Sequence, residues 1–588
     1  MDLVDDAITP DAEESALYCD DYSACQDEDT LEVETRPPRR RAPIPADIGG
    51  YKVIRLIGEG GMGQVFEALD PRNGQLVALK TLSDVDPAGV YKLKREFRGM
   101  ADIVHHNLVT LYELVVHGDI CFFTMEHVQG LDFRTALEDE LGPGESRLRD
   151  ALRQLTHGVH ALHEAGRVHR DLKPQNVLVA ESGRVVVLDF GLASEIDRQT
   201  LFTCSRGLVQ GTPSYMAPEQ AAGQLATPAS DWYSVGALLY ETLTGHVPIE
   251  GSAMETLARK QLEDPIPLSA WNLDIDLELE DLVTALLLRE PGRRPGAGEI
   301  LAWCTGDRGG RSRRAPVRRA TASKLLGREA QLDRMQRALN EVVTGRSACV
   351  DVRGEFGTGK TALVREFLRP LRGRDDVVIL ESQCSERESV PFRALDGIMD
   401  QLASHLYQTP PDRRGALTRG IEAGVSTLCQ VFPVLRRAKL DVEEVDARGA
   451  SDQAAQRRRA FAALKELLFR LGQRAPLILV IDDLHLGDMD SARLLGELLA
   501  PPDLPSLLMI TTYDPSAARE SAIVRDLELL RAMVTDKSPL VVLETPPLSR
   551  EHATELAAQL LDSSALARKR ARAVADEAAG NPMLIEAL

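Results

Sequence analysis

A chain of 588 residues with 44% hydrophobic and 27% charged side chains has material for about three to five folding units, which excludes a single small binding module and wholesale disorder. Its 69 Lys and Arg against 90 Asp and Glu give a formal charge of −21, so the field of the whole molecule repels nucleic acid and anionic lipid. The eight cysteines are scattered without a Cys-x-x-Cys pair, no run reaches the roughly 18–20 apolar residues of a membrane helix, and the N-terminus carries neither a signal peptide nor a myristoylation glycine. These features predict a cytoplasmic protein with neither membrane nor nucleic acid as partner.

In chain order, residues 1–48 are expected to be a disordered acidic tail followed by a basic, Pro-rich linker, RPPRRRAPIP. A second basic break, residues 306–323, replaces apolar residues with Gly, Pro and Arg and separates two blocks, 49–305 and 324–588. Both basic runs read as solvated linkers; contact with nucleic acid, an acidic partner or the acidic tail is the alternative. The last residues, AAGNPMLIEAL, stop inside an apolar helical pattern, so a truncated piece of a longer protein is expected.

The first block opens with a strand-like run from Tyr51 and a glycine-rich turn, Gly58-Glu-Gly60-Gly-Met-Gly63-Gln-Val65. Glycines at such a turn let backbone N–H groups close over phosphates. The same spacing also fits a dinucleotide fold, but that requires a helix at the third glycine. Here Gln64-Val-Phe-Glu-Ala alternates as a second strand, so a hairpin is predicted. A third strand ends in Val77-Ala-Leu-Lys80, and Glu96 follows on a helical stretch from which it can pair with Lys80. An amphipathic helix with Leu152, Leu155, Val159 and Leu162 on one face stops at Gly166 and leads to His169-Arg170-Asp171-Leu-Lys173-Pro-Gln-Asn176. After a further apolar run comes Asp189-Phe190-Gly191. Phosphoryl transfer needs Mg²⁺ fixed on the phosphates, an aimed hydroxyl and neutralised charge. Asn176 and Asp189 offer hard oxygen ligands for Mg²⁺, Asp171 can accept the substrate proton, and Lys173 can stabilise the γ-phosphoryl group.

With Gly211-Thr212-Pro-Ser-Tyr-Met-Ala217-Pro218-Glu219, Asp231-x-Tyr-Ser-x-Gly236 and Arg294-Pro295 downstream, residues 49–305 resemble the eukaryotic-like Ser/Thr protein kinases in their bacterial form. The resemblance implies an α+β bilobal fold and ATP held along Gly58, Gly60, Gly63, Val65 and Lys80. It also implies hinge contacts from Glu126 and Val128, Met125 as gatekeeper, and a Glu219–Arg294 pair. Lys173 with Thr212 points to Ser and Thr on protein substrates. Thr203 and Ser205, with Thr200, are candidate sites of autophosphorylation that would supply an anion for Arg170; exposed hydroxyls of no further role are the alternative.

The second block places a short strand before Gly354-Glu-Phe-Gly357-Thr-Gly359-Lys360-Thr361 and an apolar helix after it. Strand, glycine loop and helix N-terminus form an anion cradle, with Lys360 reaching the β/γ-phosphates and Thr361 the Mg²⁺. A second apolar strand ends in Asp482-Asp483, the first for the Mg²⁺ shell and the second for a hydrolytic water; a third, ending Thr511-Thr512-Tyr513, offers a hydroxyl at its C-terminal edge. With Leu326-Gly-Arg328-Glu329 and Gly580-Asn581-Pro582, residues 324–588 resemble the AAA-like STAND signalling ATPases. That resemblance implies an α/β P-loop fold with a parallel sheet and the start of a helical subdomain, nucleotide sensing by Pro582, ADP and ATP states that differ in packing, and nucleotide-dependent homo-oligomers. The chain departs from the pattern at Asp514-Pro515, where an arginine is usual; an acidic residue there repels the γ-phosphate, so nucleotide binding without an established hydrolysis is the expectation. Together the blocks predict a Ser/Thr kinase using ATP and Mg²⁺, set by a nucleotide switch. A non-catalytic, nucleotide-gated scaffold is the competing reading.

Overall fold

The computed structural model describes residues 45–588 apart from 61–62, 83–85, 118–119, 139–145, 189–193, 196–211, 272–274, 307–324, 441–452, 500–505, 535–539 and 562–564. The acidic tail, most of the second linker, Asp189 and the hydroxyls of Thr200, Thr203 and Ser205 lie outside the described residues.

The first block begins with strands β1 (Asp47–Ile48), β2 (Tyr51–Gly60), β3 (Gly63–Leu69) and β4 (Leu76–Leu82). Helix α1 (Pro87–Met100) follows, then β5 (Leu111–His117) and β6 (Ile120–Glu126). β2 and β3 pair antiparallel, so the chain after the glycine turn runs on as a strand and no helix opens there. Asp86 starts α1 by accepting the Gly89 N–H while Pro87 occupies the first turn, where its missing N–H costs nothing. α1 turns Leu93, Phe97 and Met100 into the core together with the charged Lys94 and Glu96.

Next come the short strands β7 (Gly130–Asp132), β8 (Arg167–Val168), β9 (Val177–Ala180), β10 (Val185–Val187) and β11 (Ser194–Glu195). They surround helix α2 (Ser146–Glu164), whose Leu152, Leu155, Val159 and Leu162 are wholly buried. Gly166 closes α2 with φ +71, a left-handed conformation that glycine adopts without penalty. Helix α3 (Pro228–Thr244) is buried on nearly all sides and forms the centre of this lobe.

The second block is built on a five-stranded parallel sheet made of β12 (Ala348–Arg353), β13 (Val378–Gln383), β15 (Leu477–Asp482), β16 (Leu507–Tyr513) and β17 (Leu540–Glu544), in the order β13-β15-β16-β12-β17. β15 and β16 are buried at every position, as strands covered on both faces must be. The loop after β12 leads into helix α4 (Lys360–Leu368), and helix α5 (Arg393–Gln408) follows β13.

The remaining strand, β14 (Glu388–Ser389), belongs in sequence to the second block but pairs parallel with β5. The first sheet therefore has seven strands in the order β1-β2-β3-β4-β6-β5-β14. Val390 beside it is buried in the core cluster of the first block. Among the described residues no helix is long and apolar enough to cross a membrane.

Candidate active site and nucleotide-binding loop

Antiparallel register puts Gly58 opposite Val65 and Val65 opposite Lys80, so the three lie in a row across β2, β3 and β4 on one face of the sheet. Gly63 lies where β3 leaves the turn. A Cβ there would come within 1.7 Å of the Thr81 carbonyl oxygen, so no other residue fits without moving β4. Lys80 Nζ donates to Glu96 Oε1 at 2.6 Å, and both side chains are buried. The Phe123 ring lies 5.8 Å from Nζ. Holding a lysine in such a place needs the carboxylate. Glu96 thus makes α1, an element outside the sheet, responsible for aiming a sheet lysine.

Glu126 ends β6, with its backbone N–H on the Thr110 carbonyl and its carboxylate paired with Arg184; Met125 and Val128 pack half-buried against the core. The sequence-predicted hinge residues therefore lie at the C-terminal end of β6 and just beyond it.

The loop after β8 carries the densest polar cluster. Asp171 Oδ1 accepts the Thr212 N–H and hydroxyl, each at 3.0 Å, and Oδ2 accepts Lys173 Nζ at 2.8 Å. Lys173 Nζ also donates to Thr212 Oγ1 at 3.2 Å. Asn176 Nδ2 donates to the Asp171 backbone oxygen at 2.8 Å, and the other end of that amide is a hard donor of the kind Mg²⁺ takes. Asp171, Lys173, Asn176 and Thr212 thus share one knot. The structure brings Lys80 together with Glu96, and Asp171 together with Lys173 and Asn176.

The knot has a buried anchor whose role sequence reasoning did not assign. Asp231, in the first turn of α3 and fully buried, accepts the backbone N–H groups of His169 at 2.8 Å and Arg170 at 2.9 Å and contacts His163 Nε2 at 2.8 Å. Burial opposes ionisation of Asp231, but the hydrogen bond and charge of His163, with His169 and the Arg170 N–H, hold its carboxyl below the usual range. Lower in the lobe, Arg294 forks onto Glu219 at 2.7 and 2.8 Å. Glu219 is likewise held low: burial works against its charge, and Arg294 with Ser230 outweighs it.

In the second block Gly357 and Gly359 take φ of +79 and +91 between β12 and α4. Lys360 Nζ donates to the loop's own Gly354 and Glu355 carbonyls at 2.9 and 3.0 Å. Thr361 Oγ1 donates to Asp482 Oδ2 at 2.8 Å, and Thr512 Oγ1 binds the other Asp482 oxygen and accepts the Asp483 N–H at 2.9 Å. Hydroxyl, carboxylate, lysine and helix N-terminus converge on one cradle, which fits a Mg²⁺-bound triphosphate. Burial, aided by the charge of Asp482, pushes Asp483 up to about 6; Lys360 pulls the other way, and Asp102 and Asp514 add to the rise. Asp514 caps a short helix through Ser516.

Two motifs quoted from the sequence meet this loop from outside. Buried Arg328 donates to the carbonyls of Thr358, at 3.1 Å, and Pro546. Asn581 Nδ2 donates to the Phe356 carbonyl at 2.9 Å, and the Met583 N–H reaches the Gly357 carbonyl at 3.3 Å. Pro582 stands beside Gly359.

Comparison with known proteins finds two domain families along the chain. Residues 51–303 match the protein kinase domain family, and residues 324–510 match the AAA ATPase domain family. The chain joins a protein kinase domain to an AAA ATPase domain. Among similar curated proteins, serine/threonine-protein kinase PknA of Mycobacterium tuberculosis is 36% identical over 261 residues, which are 42% of this chain and 59% of that protein. Serine/threonine-protein kinase PrkC of Bacillus subtilis is 32% identical over 252 residues, 42% of this chain and 38% of that one. A probable serine/threonine-protein kinase, pknA2 of Bifidobacterium longum, is 34% identical over 264 residues, 43% and 34% respectively. The chain spans between a third and three fifths of the length of these relatives. Domains of both kinds use ATP with Mg²⁺.

Proposed function

We propose that this chain is a cytoplasmic protein kinase that transfers the γ-phosphoryl group of ATP to Ser and Thr of proteins, and that its AAA domain is a nucleotide-binding switch acting on the kinase. The observation that carries the first part is the joint presence of the buried Lys80–Glu96 pair and the knot of Asp171, Lys173, Asn176 and Thr212. On this reading Lys80 holds the α/β-phosphates, Asn176 and Asp189 hold Mg²⁺, which neutralises phosphate charge when bound, and Asp171 takes the hydroxyl proton while Lys173 faces the transferred group. Thr212 in contact with both Asp171 and Lys173 suits a Ser or Thr acceptor. The kinase half of the proposal accords with the names of the three relatives above.

Incubation with Mg-ATP followed by mass spectrometry tests it: phosphate is expected on Ser or Thr, first within residues 195–210 at Thr200, Thr203 or Ser205. Phosphate only elsewhere would remove the activation-segment reading, and no transfer to this chain or to a generic Ser/Thr protein would leave the scaffold reading.

In the AAA domain we assign Lys360 and Thr361 to the phosphates and Mg²⁺, Asp482 to the metal shell, Asp483 to the water, and Pro582 to sensing the bound nucleotide. Lys360→Ala is expected to weaken nucleotide binding at this site and to change kinase turnover by about 5-fold or more, or to change oligomer size, in the range of ordinary coupling energies of about 1–3 kcal/mol. Turnover assays and sedimentation check this; equal values for both proteins would make the two halves independent.

A further inference from the structure

The two domains meet on α1, the helix that carries Glu96. Lys94 Nζ, one of the most buried charges in the first domain, lies 2.9 Å from both carboxylate oxygens of Asp396 and 3.2 Å from Asp400 on α5. One turn along α1, Arg98 donates to Glu388 of β14 at 2.6–3.1 Å, to Asp396 at 2.7 Å and to Asp400 at 3.3 Å. Tyr91, one turn before Lys94, packs on the core of the AAA domain with the Arg437 guanidinium 3.7 Å over its ring. β14 adds hydrogen bonds along β5, the Leu114 N–H reaching the Arg387 carbonyl at 2.8 Å, and Arg387 Nη1 donates to the carbonyl of Ala101, just past the end of α1. α1 is therefore held along its length by the other domain.

Charge arithmetic supports a built contact. Two cations face three carboxylates that are nearly excluded from water. Asp396 is held below the usual carboxylate range: burial opposes this, and Lys94 and Arg98 more than compensate. Burial and the charge of Asp396 push Asp400 up to about 6, against the pull of Lys94 and Arg98. Separating either partner of such a buried set leaves uncompensated charge away from water, so the contact resists being pulled apart.

We propose that Glu388, Asp396 and Asp400 of the AAA domain are positioning residues for phosphoryl transfer, holding α1 by Lys94 and Arg98 so that Glu96 keeps its grip on Lys80. The proposal rests on the kinase reading given above and goes beyond it by naming the contact through which the switch acts. Lys94 and Glu96 are two residues apart, so a movement of α1 that breaks the first pair shifts the second. The clamp also reaches the segment that follows β15 and its Asp482. Asp488, six positions after Asp482, accepts the Arg393 N–H at the start of α5, Arg393 Nη1 donates to the Leu486 carbonyl at 2.9 Å, and Ser491 Oγ accepts the Ala394 N–H at 3.1 Å. Asp396 and Asp400 thus sit on a helix whose first turn is fastened directly beyond the metal-shell carboxylate.

The test uses the full chain carrying Glu388→Gln, Asp396→Asn, or both, with Asp171→Asn as the reference for the kinase reading. Turnover, KM for ATP and hydrogen exchange of amides 87–100 are measured together, and activity is normalised to the folded fraction by calorimetry. The clamp predicts a ~10-fold fall in kcat, a rise in KM for ATP and faster exchange in α1, with Arg98→Lys retaining more activity than Arg98→Ala. Parent-like kcat, KM and exchange in the double variant would overturn the proposal, as would a loss of activity that disappears on normalisation. Transfer at the parent rate in Asp171→Asn would instead overturn the assignment of Asp171 as base, and no transfer by the parent chain would overturn the kinase reading, so these failures are distinct from that of the clamp.

Discussion

Asp171→Asn is expected to lower phosphate transfer by about 10³-fold while leaving ATP bound at the kinase site, a barrier increase of about 4 kcal/mol. The amide removes the one carboxylate in the knot that can take a proton from an incoming hydroxyl. It also sets donor against donor. The Asp171 oxygens now receive four donors, from the Thr212 N–H, the Thr212 hydroxyl, Lys173 Nζ and, at 3.4 Å, Asn176 Nδ2. An NH₂ group in place of either oxygen faces at least one of them, so the local geometry loosens as well. Lys80 and Glu96 sit on the sheet and α1 and make none of these bonds, which is why nucleotide binding is expected to persist. ATP titration belongs in the Lys360→Ala background, where the P-loop no longer contributes to the signal. Transfer at the parent rate would remove Asp171 from the role of base.

The chemistry of this chain was legible wherever it is local. Glycine turns, the Lys80 strand, the polar loop after α2 and the P-loop each lie within about ten residues, and the physical demand on each residue is visible in its neighbours. Register then did the rest, because pairing β2 with β3 and β3 with β4 leaves Gly58, Val65 and Lys80 one arrangement on a face. What stayed hidden is long-range. Lys94 and Asp396 are 302 positions apart and Arg98 and Glu388 are 290 apart. In sequence, Lys94 and Arg98 are ordinary cations on an amphipathic helix. β14 has two residues and no alternation to announce it, and its pairing with β5 depends on how two domains dock. Asp231 was quoted as part of a motif, yet its buried contact with two backbone N–H groups follows only from where α3 packs.

Asp231→Ala is expected to destabilise the C-terminal lobe of the kinase domain by about 3–5 kcal/mol, the range for removing one partner of a buried charged contact. The substitution strands the N–H groups of His169 and Arg170 and the ring of His163 in a buried site without their carboxylate acceptor. Arg170 adds to the cost. Its φ of +72 is left-handed, a conformation a non-glycine residue holds only where surrounding bonds enforce it, and the Asp231 contact is one of those bonds. Released, the loop relaxes and Asp171 moves with it, so activity falls along with stability. The pH dependence has a definite sign. Because the folded-state pKa of Asp231 is lowered from 3.8, its contribution is complete above that unfolded value and is lost as pH falls through the folded one. Parent and variant should therefore differ by a constant amount from pH 8 to about 5 and converge in stronger acid. Tryptophan fluorescence isolates the transition, since the three tryptophans, Trp232, Trp271 and Trp303, all belong to this lobe. Equal unfolding midpoints for parent and variant at neutral pH would mean that the buried carboxylate does not hold the catalytic loop.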